Sequence, residues 1–298
     1  MKQALALAAV LLVAGAALYF AEHRRHPDAV TANAVVDTAA DWQRDLSQVP
    51  LHATRLSDEE EVRIGDELAQ QYESAGPAAS PETRATERYI NEVGQRVAAH
   101  ARRKLPWRFH LVPDSNLINA FALPGGHVFA GQGLLDRMTS EDELAFVLGH
   151  EIEHIDHFHA AGRVQIEAQL KNLNLGAVAE IAEIPVSLWQ AGYSKDEELE
   201  ADREGLRIAA AAGYSAKGAV NLLERWSKLR DEYVLHADTP TEELSQVAID
   251  GLEGYFRTHP LPSERLAQAR EVIARDHLPI DQPVKPFRIE YEIGSGNR

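Results

Sequence analysis

The apolar positions of the chain recur at two spacings, and the change of spacing marks out its elements. Ser57, with Glu60 three residues on, opens a helix over 57 to about 72, whose Val62, Ile64 and Leu68 supply a partial apolar face. A proline- and glycine-bearing loop spans 74–81. Residues 82–103 return to helical spacing at Tyr89, Ile90, Val93 and Val97. The period then drops to two. Residues 107–112 alternate, with Phe109 and Leu111 on one face. The segment 116–130 (NLINAFALPGGHVFA) reads as a strand, a tight turn at Pro124, Gly125 and Gly126, and a second strand over 127–130. Ser140 and Glu143 have the pattern of a capping box and begin a helix that continues well past residue 150. Residues 144–149 are apolar on every face, so this helix is buried there. Helical character persists to about 175 and is interrupted at Pro185; 189–193 is a loop. Further helices are predicted over 196–212, ended by Gly213, over 216–235, with Val220, Leu223, Trp226 and Leu229 on one stripe, over 241–255, and over 263 to about 275. A weak alternation around Phe287, Ile289 and Tyr291 predicts a closing strand over 284–293. Helices dominate and the strands cluster in one short stretch. The predicted fold class is therefore α+β, mainly α, with a small sheet beside the helix that starts at Ser140.

Residues 51–298 read as one domain and 22–50, polar and alanine-rich, as a tether. Lys2 precedes an apolar run over 4–21 that ends at Glu22, His23, Arg24 and Arg25. The run is long for a signal-peptide core and just enough for a thin transmembrane helix, so 1–21 is expected to be a cleaved signal peptide or a single-span membrane anchor. Either reading implies an exported domain, periplasmic or anchored facing the extracytoplasmic side. With 298 residues, 45% of them hydrophobic, the chain can bury a substantial core. A formal net charge of −16 argues against nucleic acid as a partner and against a polybasic patch on anionic lipid. Membrane contact is left to the N-terminal segment. The absence of cysteine excludes disulfides, a lipoprotein anchor and thiol catalysis, and leaves any metal to histidine and carboxylate.

The chemistry gathers at residues 150–159, HEIEHIDHFH. At 3.6 residues per turn His150 and His154 lie roughly 40° apart and about 6 Å apart along the helix axis, so two imidazoles can share one zinc ion. Glu151, about 100° around, is out of reach as a third ligand but can reach a water in the metal's open position. This is the HExxH arrangement, two ligands and one general base. A catalytic zinc needs a third protein ligand. The solution HExxHxxGxxH fails, because residues 157 and 160 are His157 and Ala160. His157 lies about 10 Å further along the axis, and cannot join unless the helix breaks. His159 points to the opposite side and reads as a structural or surface histidine. The remaining source is the acidic run over 197–202. There Glu198 and Asp202, four apart, share a face: one can bind zinc while the other hydrogen-bonds a ligand imidazole. Glu197, Glu200 and Glu204 fall elsewhere, where Arg203 and Arg207 can balance them.

HEIEH followed some forty residues later by Glu198-Leu199-Glu200-Ala201-Asp202 resembles the M48 family of zinc metallopeptidases, which pairs HExxH with ExxAD. The segment Asn119-Ala120-Phe121-Ala122-Leu123-Pro124-Gly125-Gly126, the lead-in Gly133-Leu134-Leu135, Tyr193-Ser194 and His259-Pro260 also match, so the resemblance covers about 55–275. Phe158 stands where the family often has arginine, and Lys195 replaces a frequent arginine; the long helical-repeat tail of some relatives is absent. The resemblance implies a zincin-like domain of the short exported type. One zinc per chain would sit on His150, His154 and Glu198, with Glu151 as base and Asp202 in support. It further implies that the strand beginning at His127, with Gly125, Gly126, Val128 and Phe129, docks an extended peptide by edge pairing. His259 would stabilise the oxyanion, latch the metal's open position, or merely cap a loop. The expected function is a zinc endopeptidase acting on misfolded or misassembled cell-envelope proteins, with protein or peptide substrates as partners. The alternative is a latched or silent zinc-containing chaperone-like binding protein.

Overall fold

The computed structural model describes residues 56–74, 80–171, 173–176, 180, 184, 192–234 and 262–289. The expected leader (1–21), tether (22–50), helix over 241–255 and His259 lie outside them. Among the described residues no helix is long and apolar enough to cross a membrane.

The element order is α1 (Asp58–Ser74), α2 (Pro81–Ala98), β1 (Arg108–Val112), β2 (Ala120–Leu123), a single 3-10 turn (Pro124–Gly126), β3 (His127–Gly131), the short α3 (Gln132–Leu135), α4 (Glu141–Asp156), α5 (His159–Lys171), α6 (Lys195–Ala211), α7 (Lys217–Val234) and α8 (Pro262–Asp276). Mainly helical with one small sheet, it has the predicted class. Local chemistry starts the helices where the sequence places them. Ser57 and Glu60 close a capping box, Ser80 accepts from the Thr83 amide with Pro81 in the first turn, and Ser194 and Glu197 form a complete capping box on α6. At α4 the box is half made. The Ser140 hydroxyl accepts from the Glu143 amide at 3.3 Å, but the Glu143 carboxylate turns to the Thr139 amide (2.9 Å) and to Arg225 (2.6 Å).

The sheet has the order β1-β3-β2, with β1 parallel and β2 antiparallel to β3. Both faces are covered. Phe109, Leu111, Ala120, Ala122 and Val128 face a large core shared with α2, α4, α6, α7 and α8. Phe121, Leu123 and Phe129 face a second cluster with Ile64 and Leu68 of α1 and Val164 of α5. This is why β1 buries His110 as well as its alternating Phe109 and Leu111: His110 stacks on Phe129 at 4.4 Å and meets His127 at 3.0 Å.

Helix α4 is buried along its whole length, from Glu141 to Asp156. The three acids of its first turn complement the helix dipole, and each is partnered. Glu141 accepts from Tyr89 (2.6 Å) and Tyr214 (3.0 Å), and Asp142 from the amides of Ser215 (2.6 Å) and Lys285. At the other end Asp156 accepts from the amides of Arg102 and Arg103.

Three expectations give way here. The helix predicted over 82–103 stops at Ala98, because the amides of Arg102 and Arg103 serve Asp156 instead of a further helical turn. The helix carrying the histidines does not continue past 156. Phe158 takes a left-handed φ of 65°, and the chain restarts as α5 at His159. The tail is not a strand within its described part: residues 281–289 run as a strap, with the Lys285 carbonyl accepting from the Glu141 amide at 2.8 Å and the Arg288 amide donating to the Tyr89 hydroxyl.

Candidate active site

Two glycines set the distance between α4 and α6. A Cβ on Gly149 would lie 2.6 Å from the Gly205 carbonyl oxygen, and one on Gly205 would lie 2.5 Å from the His150 nitrogen. The helices therefore cross backbone to backbone. Glu198 and Asp202, which stand two turns and one turn before Gly205, are carried onto His150 and His154.

The three side chains His150, His154 and Glu198 converge in a buried cluster whose ligand atoms all lie within 4.8 Å of one another. His150 Nε2 and His154 Nε2 are 3.1 Å apart, and Glu198 reaches them at 3.4 and 3.7 Å through Oε2 and Oε1. On a tetrahedral zinc with N and O ligands at about 2.0–2.2 Å, neighbouring ligand atoms stand about 3.3 Å apart. The spacings fit. The donor set, two imidazoles and one carboxylate with no thiolate, also suits zinc at a site that keeps one position open.

Each ligand is oriented by a second partner. Asp202 Oδ1 lies 2.9 Å from His150 Nδ1, and Arg265 from α8 grips Asp202 through Nε at 2.7 Å and its terminal nitrogen at 2.6 Å. Burial would push the Asp202 carboxyl up, but the Arg265 guanidinium and the His150 hydrogen bond hold it below the ordinary carboxylate range. His154 stacks on Tyr193 at 3.8 Å, whose other face meets the Arg163 guanidinium at 3.7 Å. The Tyr193 amide donates to Glu198 Oε1 at 3.4 Å. Burial would push the His150 ring down, yet the carboxylates of Asp202 and Glu198 outweigh it and lift the ring to about 9. This is a position that favours a positive charge. Glu151 is 2% exposed, and burial pushes its carboxyl up to about 7.

The break after α4 corrects the expectation for His159. It does not point away: the left-handed turn at Phe158 brings its Nδ1 to 3.0 Å from His154 Nδ1. The peptide-docking expectation for the strand at His127 also fails on geometry. β3 is the central strand with a ladder on each side, so neither of its edges is open. Gly125 has φ 77°, and a Cβ there would meet the Glu61 carbonyl at 2.5 Å; with Gly126 it is packed inside rather than presented. His127 is spent on Asp66 (2.9 Å) and His110 (3.0 Å). Val128 and Phe129 belong to the two cores. Nothing in the sequence marked Arg265, Arg163 or the paired glycines as parts of the site. The only available signal was the pair of small residues, Gly149 directly before the first histidine and Gly205 one turn after Asp202.

The sequence profile of peptidase family M48 matches residues 84–273. Among known proteins the chain is similar to a putative beta-barrel assembly-enhancing protease of Vibrio cholerae, 31% identical over 210 residues, which make up 64% of this chain and 40% of that protein. It is 30% identical to the beta-barrel assembly-enhancing protease of Escherichia coli O157:H7 over 263 residues, 81% of this chain and 50% of that one. It is also similar to the mitochondrial metalloendopeptidase OMA1 of Bos taurus, 36% identical over 126 residues, 37% of this chain and 24% of that protein. The chain thus spans half or less of the length of these relatives. A match that runs from α2 into α8 encloses both halves of the site, and the chain belongs to peptidase family M48.

Proposed function

We propose that the chain is a zinc endopeptidase that hydrolyses peptide bonds of misfolded or misassembled cell-envelope proteins, exported to the periplasm or held at the membrane by residues 1–21. The observation that carries the reading is the buried convergence of His150, His154 and Glu198 beside Glu151. His150, His154 and Glu198 would hold one zinc ion, which when bound supplies a Lewis acid and lowers the pKa of a water in its open position. Glu151 would take a proton from the attacking water and return it to the leaving nitrogen; a carboxyl pushed toward neutrality by burial is suited to both transfers. Asp202, held by Arg265, fixes the His150 ring with Nε2 turned toward His154 and Glu198. The substrate class is supported by the names of the bacterial relatives and by the apolar run over 4–21.

Substrate docking is assigned to β2 rather than β3. β2 is the edge strand that runs alongside α4, where an extended peptide can add to the sheet. A non-hydrolysable peptide should slow amide exchange at 119–123; protection of 127–131 alone would refute the assignment. The catalytic reading is tested on casein with and without a chelator, with Glu151→Gln beside the wild type. Activity should be lost on chelation, and Glu151→Gln should retain zinc while turnover falls by about 10²–10⁴-fold. Wild-type turnover by that variant sinks the assignment. Casein left intact by the wild type with zinc bound would favour the chaperone-like alternative.

A further inference from the structure

We propose that His157, His159 and Glu200 form a second divalent-cation site of the zinc type, at the carboxyl end of α4. The break after α4 creates it. With His157 capping the helix and Phe158 in the left-handed region, both imidazoles turn toward α6, where Glu200 waits. Glu200 Oε2 lies 3.2 Å from His157 Nδ1 and 3.6 Å from His159 Nε2, and the ligand atoms of all three residues lie within 4.8 Å of one another. The two carboxylate–imidazole distances are close to the 3.4 and 3.7 Å of the His150, His154 and Glu198 cluster, and they fit neighbouring ligands on one tetrahedral cation.

The far side of each ligand is already held. His157 Nε2 lies 3.1 Å from Glu153 Oε2, a carboxylate only 2% exposed, which leaves Nδ1 for a cation. The other Glu200 oxygen lies 3.6 Å from Arg203. His159 Nδ1 is held by His154 at 3.0 Å. A ligand imidazole with its other nitrogen on a carboxylate or a second polar group is the usual build of a zinc site. Unlike the first cluster, these three residues are only partly buried, so water completes the coordination and the cation loads from solvent.

The experiment is a zinc titration of the full chain, with bound metal measured after equilibrium dialysis. Wild type should take two equivalents, the second more weakly because its ligands are partly exposed. Glu200→Gln and His157→Asn should each take one. Glu198→Ala should lose the tight equivalent and keep the other, which separates failure of the first site from failure of the second. A single equivalent in the wild type, or two in either Glu200→Gln or His157→Asn, overturns the second site. Far-ultraviolet circular dichroism of the variants guards against misfolding, and cobalt absorption of the unaltered chain gives an independent count of nitrogen-ligated sites.

Discussion

Gly205→Ala is the sharpest probe of how α4 and α6 build the site. The added methyl would stand 2.5 Å from the His150 nitrogen, 2.7 Å from the Gly149 carbonyl carbon and 2.8 Å from the His150 Cα. These are backbone atoms inside a buried helix, so no side chain can swing aside. To reach an ordinary contact of 3.4 Å, α6 must withdraw by about 0.9 Å. Glu198 rides on α6. Its gap to His150 Nε2, now 3.4 Å, opens to about 4.3 Å, against about 3.3 Å between neighbouring ligands on one zinc. Overpacking of this kind costs about 1–3 kcal/mol of stability. Metal affinity should fall by about 10–100-fold, the loss seen when ligand orientation is disturbed. Thermal unfolding of the metal-free protein reads the first quantity, and zinc competition with a chromogenic chelator reads the second. Gly162→Ala in α5, where the new Cβ meets nothing within 4 Å, is the matched control and should be neutral or stabilising by up to about 1 kcal/mol. If Gly205→Ala binds zinc as tightly as wild type and melts at the same temperature, the glycine crossing does not set the spacing.

Removing zinc should lower stability by about 2.7 kcal/mol relative to a sample at 100 times the dissociation constant, read as a denaturant midpoint; no shift would mean that the folded site does not bind zinc. Arg265→Met leaves the Asp202 carboxylate buried without its cation and should cost about 3–5 kcal/mol, part of which Asp202→Asn should restore in the double variant; additive losses in urea melts would argue against a coupled pair. Asp276 is held down to about 2 by hydrogen bonds from Arg275 and Arg207, so its contribution is present above 3.8 and fades as pH falls toward 2. Asp276→Asn should therefore be less stable than wild type at pH 7, with the gap closing over that window; a pH-independent gap would rule out the ionic cause.

Much of the site was legible because its parts are local or paired in sequence. His150, Glu151 and His154 follow from helical spacing alone, and Glu198 and Asp202 from a four-residue step on one later helix. The class of fold followed from the change of period between 103 and 131. What escaped depends on relations that no local pattern records. His159 was assigned to the far side by extending α4, but one left-handed residue, Phe158, reversed it. β3 looked like an open edge because its neighbour β1 pairs with it in parallel from nineteen residues upstream, which no hairpin signal announces. The tail residues alternate as a strand would, yet the partners of Lys285 and Arg288 are Glu141, Asp142 and Tyr89, far back along the chain. Arg265 carries no local signal of its role, though it is 1% exposed and completes the His150–Asp202 chain.

The contacts that fasten α4 have an order in time. A chain made from its amino end presents His150, Glu151 and His154 first, then Glu198 and Asp202, and only afterwards Arg265 and Lys285. Until Ser215 and Lys285 arrive, the buried acid Asp142 has neither of its amide donors. Until Arg265 arrives, the carboxylate that orients His150 has no guanidinium to hold it. A nascent chain stopped before α8 therefore carries the whole motif and an unbraced site. On the proposed function, cleavage would wait until α8 has been made, which spares the half-made chain from its own chemistry.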